Sequence, residues 1–216
     1  MRIRTRTLIL AVCVMSGAVP IASSVAVAQD ATAKPPATKD AATKDAAKPA
    51  AVKTIELADG KMLLKAPADW KSVPPKSQIV QFEFLAPTGD VKPEDQARIT
   101  VMGAGGSISD NIDRWYGQFE QPDGSATKEK SKAEKIEVAG QTIHLVDIPG
   151  TFKDAGGGPF FQQRAPVMRE KYRMLAAIIE TKDMGQHFLK ITGPDATVEK
   201  LKDGFHKMLQ GLEVKK

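Results

Sequence analysis

Three short glycine turns, each set between stretches of apolar residues, constrain the fold of this chain more than any other feature. The turns are Asp59-Gly60, Ala139-Gly140 and Met184-Gly185. A turn of this kind between two alternating apolar runs is typical of a β-hairpin. Strands that are joined by hairpins are antiparallel, so the sequence predicts an antiparallel sheet.

Further strands and two helices complete the predicted architecture. Apolar alternation predicts strands over 79–85 and 97–102, and residues 153–170 are predicted to form a long loop. A helix is predicted over 109–120, with Ser107 at its start and an apolar face made of Ile112, Trp115, Tyr116 and Phe119. A last helix begins at Asp195 or Thr197, ends near Gly211, and carries Val198, Leu201, Phe205, Met208 and Leu209 on one side. We therefore expect an α+β fold, a sheet of six to eight strands with helices packed on it.

The amino terminus is predicted to be an export signal. Three arginines precede an apolar run over 8–15, and Ala26-Val27-Ala28 matches the small-residue pattern at which signals are cut. We expect residues 1–28 to be removed, with an uncleaved anchor as the alternative. Residues 29–50 consist of Ala, Lys, Asp, Thr and Pro besides the first Gln, which predicts a disordered linker before a single domain over 51–216.

Cys13 is the only cysteine. It lies in the predicted signal, where Leu10-Ala11-Val12-Cys13 loosely matches a lipoprotein cleavage site, so lipidation of Cys13 is a second alternative. If cleavage follows Ala28 instead, the exported chain has no cysteine. Disulfides, thiolate catalysis and Cys-ligated zinc are then excluded.

The net charge argues against binding to nucleic acids. The whole chain has 31 Lys and Arg against 26 Asp and Glu, but three arginines lie in residues 1–28, and residues 29–50 hold four lysines against three aspartates. Residues 51–216 therefore carry a net charge of only +1. Nucleic-acid-binding domains normally carry a strong positive surface, so we expect no nucleic-acid partner.

Several short motifs resemble the PsbP-like superfamily. They are Pro67-Ala68-Asp69-Trp70 after a hairpin, the middle helix, the Val138-Ala139-Gly140 turn and the closing helix with Phe205 to Leu209. That superfamily includes the extrinsic subunit of photosystem II, a Ran-binding nuclear-import factor and many exported bacterial proteins of unknown role. The resemblance implies a PsbP-like α/β/α sandwich and, by analogy of fold alone, a binding or adaptor role.

Motifs for catalysis and metal binding are weak. His144, His187 and His206 fall on separate predicted elements, which predicts no metal site. No G-x-S-x-G motif is present, and the Gly103–Ser107 segment matches neither common phosphate-binding loop, although a glycine-rich turn before a helix is a possible anion site. We therefore expect no cofactor and name no catalytic residue.

Two segments are the candidate binding residues. Asn111, Arg114 and Gln118 are spaced to form a polar stripe on the predicted middle helix, where an arginine between two amides could hold a carboxylate or a peptide backbone. A solvated helix face is the alternative. In the predicted loop, Phe160, Phe161 and Arg164 lie beside three glycines and form either a contact surface or a lid.

The function expected from these features is binding rather than catalysis. We expect a monomeric, exported, non-catalytic binding or adaptor module of the periplasm or cell envelope, whose partner is an envelope protein or a small ligand. An envelope hydrolase and a soluble carrier of small ligands are the alternatives.

Overall fold

A computed structural model describes residues 53–156 and 165–215. All of them belong to one compact unit, Ala46–Lys216. The predicted signal over 1–28, its cleavage site, Cys13 and the predicted linker over 29–50 lie outside the described residues. Within the described ranges, no helix is both long enough and apolar enough to cross a bilayer.

The described residues form two antiparallel sheets and three α-helices. In chain order the elements are β1 Lys53–Leu57, β2 Met62–Ala66, β3 Lys71–Val73, β4 Phe82–Ala86, β5 Ala97–Ala104, α1 Ile108–Tyr116, β6 Phe119–Glu120, α2 Thr127–Lys130, β7 Lys132–Val138, β8 Gln141–Asp154, β9 Val167–Glu180, β10 Gln186–Pro194, α3 Asp195–Gln210 and β11 Glu213–Val214. The large sheet has the order β3-β4-β5-β10-β9-β8-β6 with β7 also on β8, and the small sheet has the order β1-β2-β11. The α+β architecture predicted from the sequence is confirmed.

All three predicted hairpins are present. Leu57 pairs with Met62, Val138 with Gln141, and Glu180 with Gln186, so each glycine turn joins two neighbouring strands. The strand predicted over 97–102 extends to Ala104, because β10 supplies a pairing partner as far as Gln186.

Residues 174–179 of strand β9 are buried on both faces, which explains their unbroken apolar run. Leu175, Ala177 and Ile179 pack into the cluster that contains α3 and the small sheet. Met174, Ala176 and Ile178 pack into a second cluster, which contains Trp115 of α1. A central strand covered on both sides needs apolar residues at every position, and these six residues meet that need.

Helix α3 covers one face of the large sheet. All five residues predicted for its apolar side are buried. A charged network at its edge joins it to the sheet, because Asp147 of β8 accepts hydrogen bonds from Arg173 and from Lys202, and Arg173 also donates to Asp195. The helix ends at Gly211, as the sequence predicts.

Helix α1 covers part of the opposite face and is shorter than predicted. It begins as expected, with the Ser107 hydroxyl accepting a hydrogen bond from the Asp110 amide. It ends at Gly117, so the prediction of a helix as far as residue 120 is wrong. The chain turns there because Phe119 pairs with Phe152 of β8, which places the Phe119 ring in the core by strand pairing.

Both predicted boundaries of the loop over 153–170 are also wrong. Strands β8 and β9 continue as a two-stranded ribbon as far as the pair Asp154 and Val167, which leaves 155–166 as the connection. The extension is supported by Tyr172 and Phe152, whose rings stack with centroids 6.3 Å apart.

Candidate functional site

A charged cleft of about 430 Å³ lies on the sheet face that carries α1. Strands β5, β9 and β10 form its floor, and the end of α1 and the β8–β9 ribbon form its sides. Its walls include Arg98, Thr100, Gln118, Tyr172, Lys190 and Thr192. The cleft exists because α1 is only nine residues long and leaves this part of the sheet uncovered.

Lys190 is the unusual residue of the cleft. It faces the same side of β10 as the buried Phe188, and its ammonium lies 5.8 Å from the centre of the Trp115 ring. Among the described residues, no carboxylate and no hydrogen-bond acceptor contacts this ammonium. Burial, together with the charges of Arg98 and Arg114, lowers the pKa of Lys190 to about 8.

Arg98, in contrast, forms an ion pair with the carboxylate of Glu83. Its guanidinium donates two hydrogen bonds to Glu83, at 2.8 and 2.9 Å, and the Lys76 amide donates a third at 3.0 Å. Glu83 is only 1% exposed, and its bond to Arg98 lowers the pKa of the carboxyl despite burial. This carboxylate is therefore committed to Arg98 and does not neutralise Lys190.

The other side of the cleft is aromatic. The rings of Phe152 and Tyr172 are nearly parallel, with 5° between their planes, and both residues are half-buried. Met174 lies beside them and is almost fully buried. The cleft thus places an apolar wall in the same cavity as a positive charge that has no carboxylate partner among the described residues.

The three residues of the predicted polar stripe lie in three different environments. Asn111 is buried and donates hydrogen bonds to the carbonyls of Gly105 and Ser107, so its amide holds the start of α1. Arg114 is exposed, donates to the Asn111 amide oxygen, and lies close enough to Lys190 to affect its pKa. Gln118 follows the end of α1 and lines the cleft, so the three residues do not form one helix face.

Residues at the two ends of the predicted loop border the cleft. Lys153, Asp154 and Arg169 belong to the β8–β9 ribbon and border the cleft on the side opposite β5. Phe160, Phe161 and Arg164 lie outside the described residues. Gln118 and the ribbon residues Lys153, Asp154 and Arg169 border one concave surface.

Sequence reasoning missed Lys190 and Arg98. A signal for Lys190 was present, because it occupies an inward-facing position in the otherwise apolar run Phe188-Leu189-Lys190-Ile191. For Arg98 the signal was weaker. Its partner Glu83 is distant in sequence and meets it only through the pairing of β4 with β5.

The three histidines remain apart. The His144 ring lies 2.9 Å from the Glu180 carboxylate at the sheet surface, and neither residue borders the cleft. His187 contacts the Met184 carbonyl, and burial lowers its pKa. His206 lies on α3 beside Phe205. In the described ranges, no three His, Cys, Asp or Glu residues are grouped to hold a metal ion.

The glycine-rich segment before α1 is a closed turn. Its carbonyls accept hydrogen bonds, the Gly105 oxygen from Asn111 and the Gly106 oxygen from the Gln186 side chain. The Ser107 hydroxyl is engaged by Asp110. These contacts within the protein account for the shape of the turn.

Solved structures similar to this chain include a PsbP and an envelope protein. PsbP from Synechocystis sp. PCC 6803 is 12% identical, with 79% of this chain and 96% of that chain covered and a TM-score of 0.46. LpqN, involved in cell envelope biogenesis of Mycobacterium tuberculosis, is 10% identical, with 76% and 90% covered and a TM-score of 0.44. A Pseudomonas aeruginosa protein of unknown function is 13% identical, with 76% and 98% covered and a TM-score of 0.40.

No family model and no curated protein matches the chain. A PsbP structure is thus among the solved structures similar to this chain. Similarity at these levels concerns the fold, so the function has to be inferred from the residues of this chain.

Proposed function

We propose that this protein is an exported, non-catalytic binding module that takes its ligand in the cleft beside Lys190. The observation that carries the proposal is the partly buried ammonium of Lys190, which has no carboxylate partner among the described residues and lies in a preformed cleft. A charge that is partly removed from water without a partner is unfavourable, and such groups are concentrated at functional sites.

The charges around the cleft favour binding over catalysis. Hydrolysis requires a free base or nucleophile close to the substrate. Of the acids near the cleft, Glu83 is bonded to Arg98 and Asp154 to Arg169, while Glu94 is exposed at the rim. On the floor and the α1 side of the cleft, the Lys190 ammonium and the Gln118 side-chain amide have no hydrogen-bond partner among the described residues, and both suit recognition of a ligand.

The cleft also distinguishes the module from a carrier that encloses its ligand. As formed by the described residues, it is open to solvent and bordered by charged residues on the β8–β9 ribbon and on β5. An open, charged cleft suits a small ligand or an exposed segment of a partner protein, held at the surface of the domain.

Export is proposed from the amino-terminal sequence alone. Mass spectrometry of the protein recovered from its native compartment tests it. We expect a chain that begins at Gln29 and carries no lipid. A chain that retains residues 1–28, or one that begins with a lipidated Cys13, would contradict this part of the proposal.

Binding in the cleft is tested by filling it. A panel of envelope metabolites and peptides is screened by thermal shift, and ligands that raise the melting temperature are measured by calorimetry. The variant Thr192→Trp places an indole in the cleft and should abolish binding. Thr54→Trp, at an exposed position of strand β1, is the matched control and should leave binding intact.

Three results would contradict the proposal. The first is that no ligand in the panel binds. The second is that the ligands found bind Thr192→Trp as tightly as they bind the unaltered protein. The third is that a bound ligand is chemically converted, which would favour the hydrolase alternative.

A further inference from the structure

We infer that the ligand of the cleft is an organic anion, whose negative group pairs with Lys190 and whose apolar part lies against Phe152 and Tyr172. This inference rests on the function proposed above and specifies the chemical class of the ligand. It concerns the described residues of the cleft only.

The ion pairs of the cleft indicate that Lys190 is the residue that pairs with the ligand anion. Four cations line the cleft, and three of them have a carboxylate partner within the protein. Arg98 pairs with Glu83, Lys153 with Glu120 at 2.9 Å, and Arg169 with Asp154 at 3.4 Å. Among the described residues, Lys190 alone of the four has no such partner. We take an anion bound in the cleft as the source of its counter-charge.

The surroundings of Lys190 hold its ammonium in place without neutralising it. The Trp115 ring on one side provides a cation–π contact, which is attractive but leaves the charge uncompensated. Thr100 and Thr192, on the neighbouring parts of the floor, offer hydroxyl groups that can donate to an anion. An anion that reaches the floor of the cleft therefore meets the Lys190 charge and neutral donors, while the Glu94 and Asp154 carboxylates lie at the rim.

A second cation lies nearby. Arg114 is bonded to the neutral Asn111 amide and, among the described residues, to no carboxylate. The Arg114 charge lowers the pKa of Lys190, so Arg114 contributes a second positive charge to the region around the cleft. This region can therefore bind an anion that carries more than one negative charge. A carboxylate and a phosphate monoester share the required chemistry, and both can pair with a lysine ammonium.

The aromatic wall argues for an apolar part in the same ligand. Phe152 and Tyr172 present stacked, half-buried rings on the ribbon side of the cleft. A cleft of about 430 Å³ has room for a molecule that reaches both the ammonium and the rings. An inorganic ion would leave the aromatic surface exposed to water.

Matched probes test the inference by calorimetry. 4-Phenylbutyrate, its neutral analogue 4-phenylbutanamide and 3-phenylpropyl phosphate have the same apolar body and differ in the polar head. We expect the unaltered protein to bind the better of the two anions at least about tenfold more tightly than the amide, as one charge-assisted hydrogen bond provides. Whether the carboxylate or the phosphate binds better identifies the anionic group.

Variants assign the preference to Lys190. Lys190→Met keeps the length of the side chain and removes its charge, and it should bind the anions and the amide equally. Lys182→Met, in the exposed turn of the same hairpin, should keep the tenfold preference.

The outcomes separate the inference from the proposed function. Equal binding of the amide and the anions to the unaltered protein, or an anion preference that survives in Lys190→Met, would overturn the inference. Both results leave cleft binding intact if Thr192→Trp still abolishes it. Absence of anion binding up to about 1 mM would also overturn the inference, since that limit corresponds to a total binding free energy weaker than about 4 kcal/mol.

Discussion

Replacing Lys190 by methionine should make the domain more stable at neutral pH. A depression of the Lys190 pKa to about 8, from 10.5, corresponds to roughly 3 kcal/mol of unfavourable free energy for the charged folded state. Methionine removes that cost and keeps most of the packing. It also loses the contact between the ammonium and Trp115, worth about 0.5–1 kcal/mol. After allowance for partial exposure of the side chain, we expect a net gain of about 2 kcal/mol.

The pH dependence of this gain follows from the direction of the pKa shift. Below about pH 8 Lys190 is charged in both states, and the folded protein carries the full cost. Between about pH 8 and 10.5 the unfolded chain binds the proton more tightly, so the unaltered protein becomes more stable as the pH rises. The advantage of Lys190→Met should therefore be largest at pH 7 and disappear towards pH 10.5.

Urea unfolding at a series of pH values measures this difference directly. Lys182→Met serves as the control and should differ from the unaltered protein by less than about 0.5 kcal/mol throughout. A variant Lys190→Met that is less stable at pH 7, or whose advantage does not change with pH, would refute the reasoning. Lys190 would then be solvated or paired in the folded protein.

Three further predictions concern the residues that build the cleft. Trp115→Ala should destabilise the domain by about 3 kcal/mol or more, because Trp115 is 2% exposed and packs on Phe188; an unchanged melting temperature would contradict this. Glu83→Gln should cost about 1–2 kcal/mol at pH 7, and the difference should shrink below about pH 4.5, because the lowered pKa of Glu83 stabilises the folded state only while it is ionised. Gly150→Ala should lower the free energy of unfolding by about 2 kcal/mol, because a φ of 143° is strained for alanine and the new Cβ would lie 2.8 Å from the Glu120 carbonyl oxygen. Gly105→Ala is the control: its Cβ would meet open space, so the same denaturation assay should show almost no change.

The fold was largely predictable because its signals are local. Each hairpin is specified by a turn and two adjacent runs, and each helix by spacing within a single segment. The errors arose where distant residues decide the structure. The end of α1 depends on the pairing of Phe119 with Phe152, and the length of the β8–β9 ribbon depends on contacts such as Tyr172 with Phe152. Neither contact is visible in the local pattern.

The site was less predictable for the same reason. Gln118 lines the cleft, but through a turn rather than through the helix from which it was predicted. Asn111 has the residue type of a binding residue, yet its amide is used to hold the start of α1. Lys190 gains its importance from the absence of an acid among its described neighbours. That property depends on four strands and a helix brought together by folding.

The central claim is that Lys190 provides an uncompensated positive charge for a ligand anion. Side-chain NMR of the lysine ammonium groups, titrated with and without 4-phenylbutyrate, tests it most directly. We expect one lysine, absent in Lys190→Met, whose pKa is near 8 in the free protein and rises when the carboxylate binds. A Lys190 that titrates like an ordinary lysine, and that does not respond to the carboxylate, would contradict the account.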